Sequence, residues 1–326
     1  MPNDKRRRKK PPASPWWQRA AKVVLPSWRQ WGGYVLFGWA LLIGLLVVRT
    51  RPVDYGEPWK DFSGEKALAH VQALVDLGPR PPDSPALKQA RAYIRQQLEA
   101  SGWQVEEQAF TDDTPRGRVA FVNLIARRPD QSRWSKRFLI GSHYDTKTFF
   151  SVRFVGANDG GSSTGALLEL ARVLHQHPAL AAQIELVFFD GEEAYERFTP
   201  TDGLYGSRYL AKHLNARSYR GAIIWDMIGD RDLTITLPPD SPPKLAEGIF
   251  AAADALRVRN HFTYFHDDMI DDHSPLNAAG IPAIDLIDFD YPPWHTGADT
   301  MDKLSAESLQ TVGAVTLHFL ATRAFR

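Results

Sequence analysis

The amino-acid sequence predicts an α/β fold built on a mostly parallel sheet that is covered on both faces. Three observations point there. Strand-like apolar runs alternate with helical patterns from residue 64 onward. The central runs, such as IELVFFD (184–190), are apolar throughout rather than alternating. The unusual polar residues gather where these runs end. Strands that are apolar on both sides belong in sheets buried on both faces, and intervening helices supply the crossovers that parallel strands need. In such sheets ligands bind at the carboxyl ends of the strands.

The elements follow in order. GEKALAHVQALVDLG (64–78) places apolar residues at helical spacing and stops on Gly78, and SPALKQARAYIRQQLEASG (84–102) is a second amphipathic helix with a glycine stop. WQVEEQAF (103–110) and RVAFVNLIARR (118–128) alternate as strands do. RFLIGSHYD (137–145) is a short buried strand running into polar residues. SSTGALLELARVLHQH (162–177) is a helix with a Ser/Thr start, and IELVFFD (184–190) the next strand. SRYLAKHL (207–214) is a short helix, AIIWDMIG (222–229) a strand, PPKLAEGIFAAADAL (242–256) a helix, IPAIDLIDF (281–289) a strand and SAESLQTVGAVTLHFLATRAF (305–325) a closing helix. No internal repeat is present.

Composition narrows the function. The 326 residues are 44% hydrophobic, which is ordinary globular composition, and a net charge of +1 argues against nucleic acid as a partner. The chain has no cysteine, which excludes disulfides, thiolate metal sites, cysteine nucleophiles and a lipoprotein anchor. Charge is uneven. KRRRKK (5–10), Arg19, Lys22 and Arg29 precede GGYVLFGWALLIGLLVV (32–48), which is uncharged, with Trp28 and Trp31 before it and Tyr34 at its start. The expected organisation is a basic cytoplasmic leader (1–31), a single transmembrane signal-anchor helix in the lipid bilayer (32–48), a linker (49–63) and a globular domain (64–326). The positive-inside rule puts that domain outside the cytoplasm.

Five stretches stand out, each after an apolar run: SHYD (142–145), GANDGG (156–161), DGEE (190–193), WDMIGD (225–230) and WHTGADT (294–300). They bring His143, Asp145, Asp159, Glu192, Glu193, Asp226 and His295. Singly, each has an ordinary explanation. A lone histidine after a strand is usually a satisfied polar group, and Asn-Asp-Gly-Gly and Asp190-Gly191 are strong turn chemistry. Asp226 within an apolar strand is harder to dismiss, since a buried carboxylate needs a partner. Their joint occurrence at successive strand ends makes a nitrogen-and-oxygen donor set without sulfur, which suits catalytic zinc. The adjacent pair Glu192–Glu193 then divides its work: one carboxylate binds metal while the other stays free as a base.

The series SHYD, GANDGGSSTGALLELARVL, IELVFFDGEEA, WDMIGD and WHTGADTMDKLS resembles the zinc aminopeptidases of the bacterial leucyl aminopeptidase type. Within that group FFDGEEAYERFTPTDGLYGSRYLA, IDDHSPLNAAGIPAIDLI, HYDTK, FVGA and PWHT look most like glutaminyl-peptide cyclotransferases. The likeness runs in order over about 65–325. It implies a three-layer α/β/α sandwich around a mixed, mostly parallel sheet. It also implies Asp159, Glu193 and His295 as zinc ligands, Glu192 as general acid/base, and Asp226 and Asp272 as its hydrogen-bonded acidic network. Trp294 would line the substrate pocket. Cyclases carry tryptophan where this chain has Phe198, and GGSSTGA is nearer the aminopeptidase pattern.

Two mechanisms follow from the resemblance. In the cyclase reading one zinc polarises the side-chain amide of an N-terminal glutamine, and Glu192 carries the proton from the α-amine to departing ammonia. In the aminopeptidase reading two zincs are held, His143, Asp226 and a bridging Asp159 take the second, Asp145 orients His143, and the first peptide bond is cut. Either way the substrate is a peptide or protein N-terminus. A membrane-anchored binding domain without activity is a third possibility, and the intact ligand positions argue against it.

Overall fold

The computed structural model describes residues 53–131 and 135–325, with Val35, Phe37 and Trp39 as isolated, exposed helical positions. The leader expected at 1–31 lies outside the described residues, as does the span expected at 32–48 apart from those three positions. Among the described residues no helix is long and apolar enough to cross a membrane. The chain divides into two units, Met1–Val53 and Asp54–Arg326, and the sheet and its site belong to the second.

Helix α1 (Gly64–Asp76) starts where the Ser63 side chain accepts from the Lys66 N–H, and α2 (Pro85–Ala100) where Ser84 does the same for Leu87. Each cap satisfies one of the donors that a helix start leaves unpaired. An antiparallel hairpin follows, β1 (Gln104–Thr114) and β2 (Gly117–Arg127). Then come β3 (Arg137–His143), α3 (Gly161–Gln176), the single turn α4 (Pro178–Ala181), β4 (Ile184–Phe189), α5 (Tyr205–His213) and β5 (Tyr219–Asp226). The chain continues through β6 (Ile235–Leu237), α6 (Pro243–Ala255), β7 (Phe262–Tyr264), α7 (His273–Ala278), β8 (Ala283–Ile287) and α8 (Ala306–Thr322).

The eight strands lie in the order β1-β2-β4-β3-β5-β8-β6-β7. The centre, β4-β3-β5-β8, is parallel, while β2 joins β4 and β6 joins β8 in antiparallel fashion. The sheet is therefore mixed, as expected, with its parallel part at the centre. Period-two alternation sorts the strand side chains into two cores. Phe138, Ile140, Leu186, Phe188, Ile223 and Trp225 pack with residues of α1, α3, α6 and α8, while Leu139, Val187, Phe189, Ala222 and Ile224 pack with Leu210 of α5 and Leu276 of α7. Those are the three layers. One polar group inside them is Glu185 of β4, which Arg127 (2.5 Å), Arg137 (3.1 Å) and the Tyr219 hydroxyl (2.6 Å) satisfy together.

Residues before α1 pack on the closing helix and the residues after it: Trp59 lies 4.6 Å from the His318 ring and Tyr55 meets Phe325 edge-on. β6, β7 and α7 have no counterpart in the sequence reading. Three-residue strands and a six-residue helix are too short to display a period.

Candidate metal centre and active-site cleft

Most of the residues singled out from sequence sit where a central strand ends, whereas Asp159 precedes α3 and His295 lies in the loop between β8 and α8. β3 ends on His143, and Asp145 follows. Asp159 stands just before α3, Glu192 and Glu193 just after β4, and Asp226 closes β5. The loop to Asp159 turns through Gly160 at φ +74, where a β-carbon would come within 2.7 Å of the Asp145 carbonyl and 2.8 Å of the His143 ring. Only glycine allows both the left-handed backbone and that approach. Gly191, at φ +72 against the Phe121 ring, plays the same part before the glutamate pair.

Two triads result. His143 Nε2 lies 3.3 Å from Asp159 Oδ1 and 3.2 Å from Asp226 Oδ1. His295 Nε2 lies 3.3 Å from Asp159 Oδ2 and 3.2 Å from Glu193. Asp159 is thus shared, one oxygen facing each histidine. In each triad the ligand-type atoms lie within 4.8 Å of one another.

These residues fit a divalent cation. An imidazole nitrogen has a single lone pair or proton, yet each Nε2 here faces two carboxylates. Three carboxylates within this distance repel unless positive charge joins them. In the protein by itself protons provide it. Burial works against a charged His295, but Asp159 and Glu193 outweigh it and push the pKa up to about 9. His143 is likewise raised well above its ordinary range, against its burial, chiefly by Asp226. Asp159 is held low in spite of burial, by His143 and His295. A metal ion would replace these protons, since histidine ligates only when neutral. The all-nitrogen-and-oxygen set suits zinc.

The surroundings hold the triads in place. Asp145 is fully buried: Oδ1 accepts from the Glu192 N–H (3.2 Å) and faces His143 Nδ1 (3.4 Å), and Oδ2 accepts from the Glu193 N–H (3.4 Å). Glu193 also accepts from the Lys147 N–H at 3.1 Å. Three further residues were not read from sequence. Asp299 is fully buried, and its Oδ1 accepts from the Asn158 N–H and the Tyr291 hydroxyl (2.8 Å each) while Oδ2 accepts from the Asp159 N–H (3.2 Å). Its place inside WHTGADT was the available signal. Arg80, fully buried, donates to the carbonyls of Leu74, Gly78, Tyr144, Val155 and Gly156, tying α1 to the loops that carry Asp145 and Asp159. Asp271 is the third.

Asp159, Glu193, Asp226 and His295 of the triads open onto a cleft of about 250 Å³, where they, Glu192 and Asp271 are walled by Phe198, Met227, Phe265, Met269, Phe289 and Trp294. Trp294 stacks on His295, ring centroids 4.1 Å apart. Phe198 and Trp294 are therefore at the cleft, His143 and Asp145 lie behind its floor, and Asp272 is buried beside it without lining it. Glu192 belongs to neither triad. Burial raises its pKa well above the carboxylate range, His143 opposing, and the like charges of Asp271, Glu193 and Asp272 raise it further. A buried carboxylate with a raised pKa, next to a cation site, is equipped to move protons.

A mixed α/β sheet with such a donor set at the carboxyl ends of its parallel strands defines a metal-dependent enzyme acting in a cleft. The chain belongs to peptidase family M28, whose model matches residues 123–320. It is similar to the glutaminyl-peptide cyclotransferase of Boiga irregularis, 29% identical over 282 residues that cover 74% of this chain and 76% of the relative. The crystal structure of Acidobacteriales bacterium glutaminyl cyclase matches with a TM-score of 0.74 at 32% identity, covering 83% of this chain and 95% of that one. A Zn-dependent exopeptidase from Parabacteroides distasonis matches with a TM-score of 0.73 at 29% identity over 81% of this chain and 99% of the other.

Proposed function

We propose that this enzyme is a zinc-dependent glutaminyl-peptide cyclotransferase, which converts the N-terminal glutamine of peptides and proteins to pyroglutamate and releases ammonia. The observation that carries the reading is Glu192: a buried carboxylate, outside both triads, that lines the cleft beside Asp159, Glu193 and His295 with its pKa raised. The similarity to glutaminyl cyclases over most of the second unit supports it. Asp159, Glu193 and His295 would hold the zinc, which when bound supplies positive charge to polarise the glutamine side-chain carbonyl.

The chain's own residues do the rest. The aromatic wall around Trp294 and Phe198 excludes water and holds the glutamine side chain folded back toward its own α-amine. Glu192 takes a proton from that amine as the new nitrogen–carbon bond forms, and returns one to the amide nitrogen as the carbon–nitrogen bond breaks, so that ammonia leaves. Asp271 and Asp272, buried close by, keep the Glu192 pKa high enough for both transfers, and Asp226 borders the same floor.

A second reading, a two-zinc aminopeptidase, is favoured by one observation: the triad His143, Asp159 and Asp226 is complete and shares Asp159 with the first. Metal content of the purified enzyme together with its product separates the two. One zinc and pyroglutamate formation support the cyclase, whereas two zincs and a shortened peptide support the peptidase.

We also infer that residues 32–48 anchor the enzyme in a membrane, with the basic leader in the cytoplasm and the catalytic unit outside it. Alkaline phosphatase fused after residue 60 should then be active in bacteria, and an inactive fusion would reverse the topology.

A further inference from the structure

A second cavity opens beside the catalytic cleft. It has a volume of about 740 Å³ and runs between α5 and α7, floored by Leu204, Ala211, Pro275 and Ala278. Two residues, Phe198 and Ile270, wall both cavities. Ile270 stands 62% exposed on the ridge between them, a large aliphatic side chain with its face in water.

The two spaces are also joined through the backbone. The Leu204 N–H donates to the Glu192 carbonyl (2.7 Å) and the Tyr205 N–H to the Gly191 carbonyl (2.8 Å). Leu204 holds a left-handed backbone at φ +53, unusual for a residue with a branched side chain. The groove floor is thereby pinned to the segment that carries the proton-transfer residue. At the far rim are Arg208, held by the Pro200 carbonyl, and Lys212, which is exposed and makes no ion pair among the described residues.

We propose that this groove is the subsite for the residues downstream of the reacting N-terminus, and that it selects peptides with apolar side chains in those positions. The proposal rests on the reading that a peptide N-terminus occupies the cleft, and it applies to both chemistries considered above. The cleft, at about 250 Å³, has room for one residue, so the remainder of a peptide must leave it. The Phe198–Ile270 ridge is apolar and shared, and a chain crossing it passes directly into the groove. Apolar side chains leaving water there gain from burial, while polar ones lose their hydration with few partners in return.

The test compares kcat/KM of the zinc-loaded enzyme on Gln-Leu-Phe-Leu, Gln-Ser-Gly-Ser and glutamine amide. The apolar peptide is expected to be favoured over the polar one by tenfold or more, mainly through KM. Ala278→Glu places a charge on the exposed groove floor and should remove most of that preference while leaving glutamine amide turnover unchanged. Ala279→Glu, at the end of the same helix, serves if the first variant does not fold. Equal kcat/KM for the two peptides, or equal losses on glutamine amide and peptide, would overturn the proposal. If no glutamine substrate reacts, the cyclotransferase reading fails separately. Calorimetric binding of the two peptides to the zinc-loaded protein then decides the groove: tighter binding of the apolar peptide, lost in Ala278→Glu, upholds it, and equal binding refutes it.

Discussion

Asp299 is expected to control zinc affinity without touching the metal. Its two oxygens carry three buried donors, the Asn158 and Asp159 N–H groups and the Tyr291 hydroxyl. In Asp299→Asn one oxygen becomes an amide that cannot accept. If that amide faces the Asp159 N–H, one buried donor is orphaned, at about 1–3 kcal/mol, and the ligand loop loosens. Asp299→Ala orphans all three and should lose roughly 3–6 kcal/mol after relaxation. Residues that orient ligands typically change metal affinity by about 10–100-fold, and that is the loss expected for zinc in Asp299→Asn.

The same residue has a pH signature. Burial first, and the Asp159 charge second, push the Asp299 carboxyl up to about 6. Between about pH 4 and 6 the folded chain therefore keeps a proton that the unfolded chain has released. The stability that this carboxyl contributes is present below pH 4 and is lost as pH rises through 6. Asparagine does not titrate, so the deficit of Asp299→Asn should shrink by about 3 kcal/mol between pH 4 and 7. Denaturant unfolding of chelated protein at both pH values, together with competitive zinc titration, measures each effect. Unchanged zinc affinity with a pH-independent gap would refute the role given to Asp299.

Three further predictions follow from the same geometry. Glu192→Gln should abolish turnover while zinc content, by elemental analysis, stays near that of the parent; surviving turnover would remove Glu192 from proton transfer. Gly160→Ala should lower both thermal stability and zinc affinity, because φ +74 is strained for alanine by about 1 kcal/mol and its β-carbon meets the Asp145 carbonyl at 2.7 Å; a parent-like Tm and zinc titration would show that the loop yields. Chelation by dipicolinate should lower the Tm, and zinc should restore it, by an amount equivalent to about 4 kcal/mol at a thousand-fold excess over Kd; a Tm indifferent to chelation would show that the triads do not bind metal.

The central fold was legible because buried parallel strands are long apolar runs, and β3, β4, β5 and β8 all appear as such. The site was legible for the same reason: polar residues that interrupt or end such runs have little else to do there, as with His143, Asp226 and the 192–193 pair. What stayed hidden depends on distant parts of the chain. Asp299 gains meaning only when α8 and its preceding loop close over Asn158 and Asp159. Arg80 looks like a turn residue in GPRPP until the fold wraps five carbonyls around it. Asp271 and Asp272 are neighbours in sequence, and only the turn into α7 decides that the first lines the cleft and the second is buried behind it. Phe198 and Ile270 are far apart in sequence, so no local pattern marks the ridge they form.

The central claim is that the Glu192 cleft closes an N-terminal glutamine on itself. Its most direct test is mass spectrometry of a peptide beginning Gln-Ala after incubation with the zinc-loaded catalytic unit, residues 52–326. Loss of ammonia with the chain length intact is the predicted result. Release of the first residue instead would contradict the claim and establish an aminopeptidase with His143 and Asp226 on a second metal.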